Sequence, residues 1–441
     1  MKQYTQLVIE KSPPLNGQVE LTGAKNAVLV IMASLILTKG ESILSNVPFS
    51  TDVRNMIILL QQLGAQVKYV AQMQTLYVDT SELNCWDVEH AIMKKMRASI
   101  LVMGPLLARF GKANIALPGG CTIGSRPIDL HLSNFEKMGV VISECGETLN
   151  TSIGSTTPQK IVLDYPSVGA TENVMMLATC VQGKTKIINA ALEPEVLDLI
   201  KVLQKMGAQI QVTAPATIEI EGGIELRSIE HTVINDRLEA GALLLAAAIT
   251  GGTIDIPQAP AFAMEVFLQK LSQMGHHIQI GANDIGVSLR ATKEPKAVSF
   301  KTGPYPQFPT DLQAPMMAAQ VVADGVSIVE ETVFENRLMH VRELQKMGAE
   351  IKVLHDQKVM ITGVEQLYGC PVIAPDIRAS CALVLAGLVA QGNTVMTGVH
   401  HWQRAYDALE SKLQFLGALI ELGQHQMVSL QEPQRFFEKK Q

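Results

Sequence analysis

A chain of 441 residues, 47% hydrophobic and with a formal net charge of −6, is long enough for two or three domains and a sizeable core. Its mild acidity and the absence of any basic block argue against nucleic acid as a main partner. The longest apolar run, Ala27 to Leu37, is too short to span a bilayer, and no apolar signal core follows Met1-Lys2-Gln3-Tyr4-Thr5, so no membrane insertion and a cytoplasmic location are expected.

The first twenty or so residues carry two strand-like runs, Leu7-Val8-Ile9 and Val19-Glu20-Leu21. They need a sheet to join, and the second half of the chain could supply it. From residue 23 onward two motifs alternate. One is an Ala-rich apolar run closed by glycine, at Gly40, Gly111, Gly183, Gly251, Gly325 and Gly392. The other is Leu/Met-Gly, at Gly64, Gly139, Gly207, Gly275, Gly348 and Gly417. Each recurs roughly every 70 residues, a period that marks a repeat architecture.

Each unit has a physical reading. A run such as Leu243-Leu244-Leu245-Ala246-Ala247-Ala248 is apolar all round, which predicts a helix buried on every side. Its glycine is the expected C-cap. A strand follows, then an amphipathic helix such as Val53, Met56, Ile57, Leu60 and Leu63, then two more strands after the Leu/Met-Gly. Six units predict an α/β fold of two three-unit domains, residues 23–235 forming the first and residues 1–22 with 236–441 the second.

Polar residues stand at the start of every buried helix: Lys25, Arg97, Thr171, Glu239, Asp311 and Arg378. Thr171 and Glu239 read equally well as helix caps. Lys25, Arg97 and Arg378 do not, because a cation at a helix N-terminus costs about 0.3–1 kcal/mol against the helix dipole. Basic side chains beside unpaired N–H groups form an anion site. Ser167-Val168-Gly169-Ala170-Thr171 offers successive N–H groups as a phosphate nest. Arg337 and Arg404 each precede an amphipathic helix, and taken singly would be read as solvated surface.

Within the second unit, just before its amphipathic helix, lies Leu117-Pro118-Gly119-Gly120-Cys121-Thr122-Ile123-Gly124-Ser125-Arg126-Pro127-Ile128-Asp129. Its glycines allow close approach to a ligand, and they frame a thiol five residues before Arg126. Pro127 suits the first position of a helix, with Asp129 in the first turn. The six cysteines (85, 121, 145, 180, 370 and 381) show no CxxC spacing and the histidines no HExxH. Free thiols and no metal or organic cofactor are therefore expected.

Gly23-Ala24-Lys25-Asn26-Ala27, Met96-Arg97-Ala98-Ser99, Pro118-Gly119-Gly120-Cys121, Arg126-Pro127-Ile128-Asp129-Leu130-His131, Phe308-Pro309-Thr310-Asp311, Phe334-Glu335-Asn336-Arg337 and Asp376-Ile377-Arg378-Ala379-Ser380 resemble the enolpyruvyl transferase family, on its UDP-N-acetylglucosamine 1-carboxyvinyltransferase branch. The resemblance covers almost the whole chain. It implies two inside-out α/β barrels that close on substrate, and transfer of the enolpyruvyl group of phosphoenolpyruvate to the 3′-hydroxyl of UDP-N-acetylglucosamine at the opening of peptidoglycan synthesis. It implies that Lys25, Arg126 and Arg404 hold the phosphate of phosphoenolpyruvate, and Arg337 and Arg378 its carboxylate. Asn26, Arg97, Arg126, Pro127, Ile128, Asp129, Leu130, Ser167, Val168, Gly169, Asp311 and Val333 are then expected on the UDP-sugar. Cys121 is the candidate acid and Asp311 the candidate base, with Lys25 beside them.

At Tyr165-Pro166 the family usually has Lys-Val, so this chain lacks a cation and a backbone donor there. Three other readings stand beside this one. The sister reaction on 3-phosphoshikimate shares the fold, a paralogue weakened at Tyr165-Pro166 shares the substrates, and a non-catalytic six-repeat clamp shares neither.

Overall fold

The computed structural model describes residues 5–116 and 128–423. The strands fall into six small sheets, five of four strands and one of three, and no sheet closes on itself among the described residues. One wiring recurs. Strand Gly183–Ile188 pairs antiparallel with Thr217–Gly222, which pairs with Gln209–Thr213, while Lys160–Val162 from the preceding segment lies parallel on the far side. Val326–Glu330 is flanked in the same way, with Phe300–Lys301 as its parallel neighbour.

Two long-range pairings stand out. Strand Glu230–Thr232, from the end of the first half, returns to run parallel to Glu41–Ser45. The N-terminal strand Gln6–Glu10 runs antiparallel between Asn393–Thr397 and Ile420–Gly423. The second N-terminal strand is Asn16–Gln18, parallel to Thr253–Asp255. It lies just before the predicted Val19–Leu21, whose Val19 N–H still reaches the Asp255 carbonyl at 3.0 Å.

Two hydrophobic cores result. One is built from residues between Ala24 and Val233, the other from Leu7–Leu21 together with Leu238–Ile420. The chain passes between them twice, side by side. Ala24 N–H donates to the Ile234 carbonyl at 2.7 Å, and Asp236 N–H to that of Thr22 at 3.0 Å. Gly23 is required here, because a Cβ would stand 1.8 Å from the Asn46 carbonyl oxygen.

The helices Lys25–Ser34, Val168–Ala178, Arg237–Thr250, Gln313–Val321 and Ile377–Val389 are buried along nearly their whole length, as their unbroken apolar composition requires. The run at Arg97 divides into a 3-10 turn, Arg97–Val102, and an α-helix, Met103–Phe110. Pro105 cannot donate to the carbonyl four residues back, which favours that break.

The expected glycine caps are corrected in part. Gly111 and Gly251 do cap their helices in the left-handed conformation. Gly183, Gly325 and Gly392 lie beyond helices capped by Thr179, Val322 and Ala390, and Gly40 follows a 3-10 turn capped by Thr38. These four hold positive φ at the turn from helix to strand, which costs glycine nothing.

Candidate active site

The six polar residues predicted at helix starts all stand at or close to helix N-termini, but the structure sorts five of them into two kinds, with Arg97 set apart near His131. Thr171 accepts the Ala191 N–H at 3.1 Å, and Glu239 takes Thr22 N–H at 2.8 Å and Lys412 Nζ at 2.7 Å. Both bind segments of the fold together. Lys25, Asp311 and Arg378 instead converge where the two cores meet, and Arg337 and Arg404 join them.

Two carboxylates organise this cluster. Asp52, in the first turn of helix Thr51–Gln62, takes Lys25 Nζ at 3.3 Å on one oxygen and Arg404 Nε at 2.8 Å on the other. Arg404 belongs to the other core's segment, so this carboxylate ties the two halves. A neighbouring tie runs the same way, from Phe49 N–H to Asp407 Oδ2 at 2.8 Å. Asp311, in the 3-10 turn Thr310–Leu312, takes Arg337 Nη2 at 2.7 Å and Arg378 Nη2 at 3.0 Å.

The charges share one field. Burial pulls the Lys25 ammonium below its ordinary value; Asp52 opposes this, and Arg378 and Arg404 add to it. Burial pushes the Asp311 carboxyl up, but Arg378 and Arg337 outweigh it and hold the group well below the usual carboxylate range. Arg337 is 2% exposed, and its Nε and Nη1 find no hydrogen-bond partner among the described residues. Buried charged donors left so are uncommon, and an anion is one group that would satisfy them.

A second group lies in the first core's segment. His131, buried in helix Asp129–Lys137, meets Asn173 Nδ2 at 3.1 Å. Asn173 also donates to the Ile100 carbonyl and accepts the Gly104 N–H, each at 2.9 Å. Burial, with Arg97 adding to it, pulls the His131 imidazole down to about 4. Gly169 faces that ring so closely that a Cβ would lie 3.1 Å from Cε1. Arg97, Ile128, Asp129, Leu130, Ser167, Val168 and Gly169 are thus carried by elements packed around His131 and Asn173. Ser167 caps its helix through Ala170 N–H at 3.4 Å. Asn26 follows Lys25 in the same turn, and Val333 is half-buried beside the Arg337 turn.

Cys121, Arg126 and Pro127 lie outside the described residues. The other five cysteines are free thiols. Among the described residues no cluster of His, Cys, Asp and Glu is arranged to hold a metal ion, and no helix is long and apolar enough to cross a membrane. Sequence reasoning passed over Asp52. Its one signal was Ser50-Thr51-Asp52, which reads as an ordinary helix N-terminus, and Ser50 does accept the Val53 N–H.

Residues 9–413 match the model of the EPSP synthase (3-phosphoshikimate 1-carboxyvinyltransferase) family, and the chain belongs to that family. Among solved structures, the enolpyruvyl transferase NikO from Streptomyces tendae superposes with a TM-score of 0.86 at 23% identity, covering 95% of this chain and 99% of the other. EPSP synthase from Acinetobacter baumannii gives 0.72 at 16% identity, covering 95% and 100%. Both show the same mixed α/β fold.

Curated relatives narrow the class. A UDP-N-acetylglucosamine 1-carboxyvinyltransferase 1 from Caldanaerobacter subterraneus is 47% identical over 416 residues, 94% of this chain and 99% of the relative. UDP-N-acetylglucosamine 1-carboxyvinyltransferases from Cellvibrio japonicus and Coxiella burnetii are 43% and 45% identical over 94% of this chain, covering 98% and 95% of their own lengths.

Proposed function

We propose that this chain transfers the enolpyruvyl group of phosphoenolpyruvate to the 3′-hydroxyl of UDP-N-acetylglucosamine and releases phosphate. One observation carries the reading. Four cations from both cores, Lys25, Arg404, Arg337 and Arg378, converge on two carboxylates at the junction. These are the side chains expected on the phosphate and carboxylate of phosphoenolpyruvate. The names of the relatives favour the UDP-sugar over 3-phosphoshikimate as acceptor.

The chemistry follows from the substrate. Proton delivery to C3 of phosphoenolpyruvate leaves C2 electron-poor. The sugar hydroxyl adds there, giving up its proton to a base. Loss of the C3 proton and of phosphate from the tetrahedral adduct then restores the vinyl group. Cys121 is the proposed acid at C3 and Asp311 the proposed base, a role typically worth about 10²–10⁴-fold.

Asp311 is held ionised by Arg337 and Arg378. A substrate carboxylate that takes over those guanidinium donors removes part of that hold. The proton affinity of Asp311 then rises toward that of a useful base. In the same way, the phosphate competes with Asp52 for Lys25 and Arg404 and is stabilised as it leaves.

The architecture proposed around this site is two inside-out α/β barrels of three repeated units each, residues 23–235 and residues 1–22 with 236–441. The recurrent sheet wiring and the paired crossings at Thr22–Ala24 and Ile234–Asp236 support it. The cytoplasm is the proposed location, with phosphoenolpyruvate and the UDP-sugar as small-molecule partners.

Phosphate release from phosphoenolpyruvate is the test, measured with UDP-N-acetylglucosamine, with 3-phosphoshikimate and with neither. Release dependent on the UDP-sugar supports the reading. Release with 3-phosphoshikimate alone, or with no acceptor dependence, refutes it.

A further inference from the structure

Glu331 stands just past the end of strand Val326–Glu330 and is 1% exposed. A buried carboxylate needs several donors to offset its lost hydration. Glu331 finds them in two different turns. Oε1 accepts the N–H groups of Val333 at 2.8 Å and Phe334 at 3.1 Å. The Thr310 hydroxyl points at both oxygens, at 3.0 and 2.9 Å. Thr310 is the residue before Asp311, and Phe334 opens the turn that carries Arg337.

One carboxylate therefore staples the turn bearing Asp311 to the turn bearing Arg337, whose side chains meet at 2.7 Å. The next residue repeats the join. Thr332 N–H donates to Thr302 Oγ1 at 2.9 Å, and Thr332 Oγ1 donates to the Thr302 carbonyl at 2.7 Å. Thr302 in turn bridges to Phe308, at the head of the Asp311 turn.

We propose that Glu331 is a positioning residue for the transfer reaction: through the Thr310 hydroxyl and the N–H groups of Val333 and Phe334 it sets the separation of Asp311 from Arg337. The assignment rests on the reaction proposed above. In this role Glu331 acts through Thr310 and the backbone of Val333 and Phe334 rather than on the reacting atoms. Its effect is to hold the base and the carboxylate-binding guanidinium at one spacing, and a misplacement of about 1 Å at such a site can cost about 10²-fold in rate. Burial pushes the Glu331 carboxyl up, and its hydrogen bonds pull back against that.

The experiment compares wild type with E331A, E331Q, T310V and T310S by steady-state phosphate release, alongside thermal melting. E331A is expected to lower kcat by about 10²-fold with little change in KM for UDP-N-acetylglucosamine. E331Q keeps the acceptor for Val333 and Phe334 and is expected to recover part of the loss. T310V, which removes only the hydroxyl's donor, should lose rate as well, and T310S should keep it. In the E331A/T310V double variant the two losses should not add, because both cut the same link.

Full activity in T310V, or additive losses in the double variant, would overturn the assignment. If wild type releases no phosphate, the reaction itself is wrong, and the staple is then read from crystal structures of E331A and T310V. Asp311 and Arg337 still within hydrogen-bond distance in both would overturn it without reference to turnover.

Discussion

Asp52→Asn isolates the tie between the two halves of the molecule. The substitution keeps the shape of the side chain and its place in the helix's first turn, but removes the charge that faces Lys25 and Arg404. The three side chains are 4%, 9% and 13% exposed, so the cations left behind are poorly hydrated. Breaking a buried pair by removing one partner costs about 3–5 kcal/mol. The residual exposure of Arg404 places this case at the lower end, about 3 kcal/mol. For units of this size that corresponds to a fall in Tm of roughly 6–12 °C. Phosphoenolpyruvate should reverse much of the loss, because its phosphate supplies the missing negative charge to the same two cations. Differential scanning calorimetry with and without phosphoenolpyruvate is the assay. The expected result is a lower Tm for the unliganded variant and a larger ligand-induced shift than in wild type, since the substrate no longer competes with a carboxylate. A Tm within 2 °C of wild type (less than about 1 kcal/mol), or equal ligand shifts, would refute the reasoning.

Other consequences can be checked separately. Asp311→Asn should lower kcat by about 10²–10⁴-fold in the phosphate-release assay while leaving UDP-sugar binding measurable by calorimetry. Because the Asp311 carboxyl is held well below the usual range, its contribution to stability is complete above the unfolded value of about 3.9. That contribution fades progressively as pH falls below about 3.9 and is gone once pH has passed the lower folded value. Urea melts from pH 7 to pH 3 should therefore show a smaller acid-side loss in D311N than in wild type. Cys121→Ala should abolish turnover yet still bind the UDP-sugar, and an epoxide phosphonate of the fosfomycin type should add its mass to the Cys121 peptide of wild type only. Tyr165 is 39% exposed and stands where the resemblance led lysine to be expected. Tyr165→Lys should lower KM for the UDP-sugar severalfold, and an unchanged KM would take that position away from the nucleotide.

The recurring motifs were legible because their signals are local. A left-handed glycine after an amphipathic helix, as at Gly64, Gly139 and Gly207, depends on a few neighbouring residues, and so does an apolar run that must bury every face. The charges at Lys25, Asp311 and Arg378 stood out for the same reason: each disturbs or caps one helix end. The exact cap positions were less legible, because the helices of Val168–Ala178 and Ile377–Val389 stop short of the glycines that follow them.

The amino-acid sequence by itself determined which segments become buried helices, where their charged ends fall, and to which family the pattern points. Only the tertiary structure decided which carboxylate faces which cation. Asp52 and Arg404 are 352 residues apart, and Asp311 meets Arg378 across 67. Helix and turn preferences act over a few residues, whereas such pairs are selected by how two separately packed cores come to lie against each other.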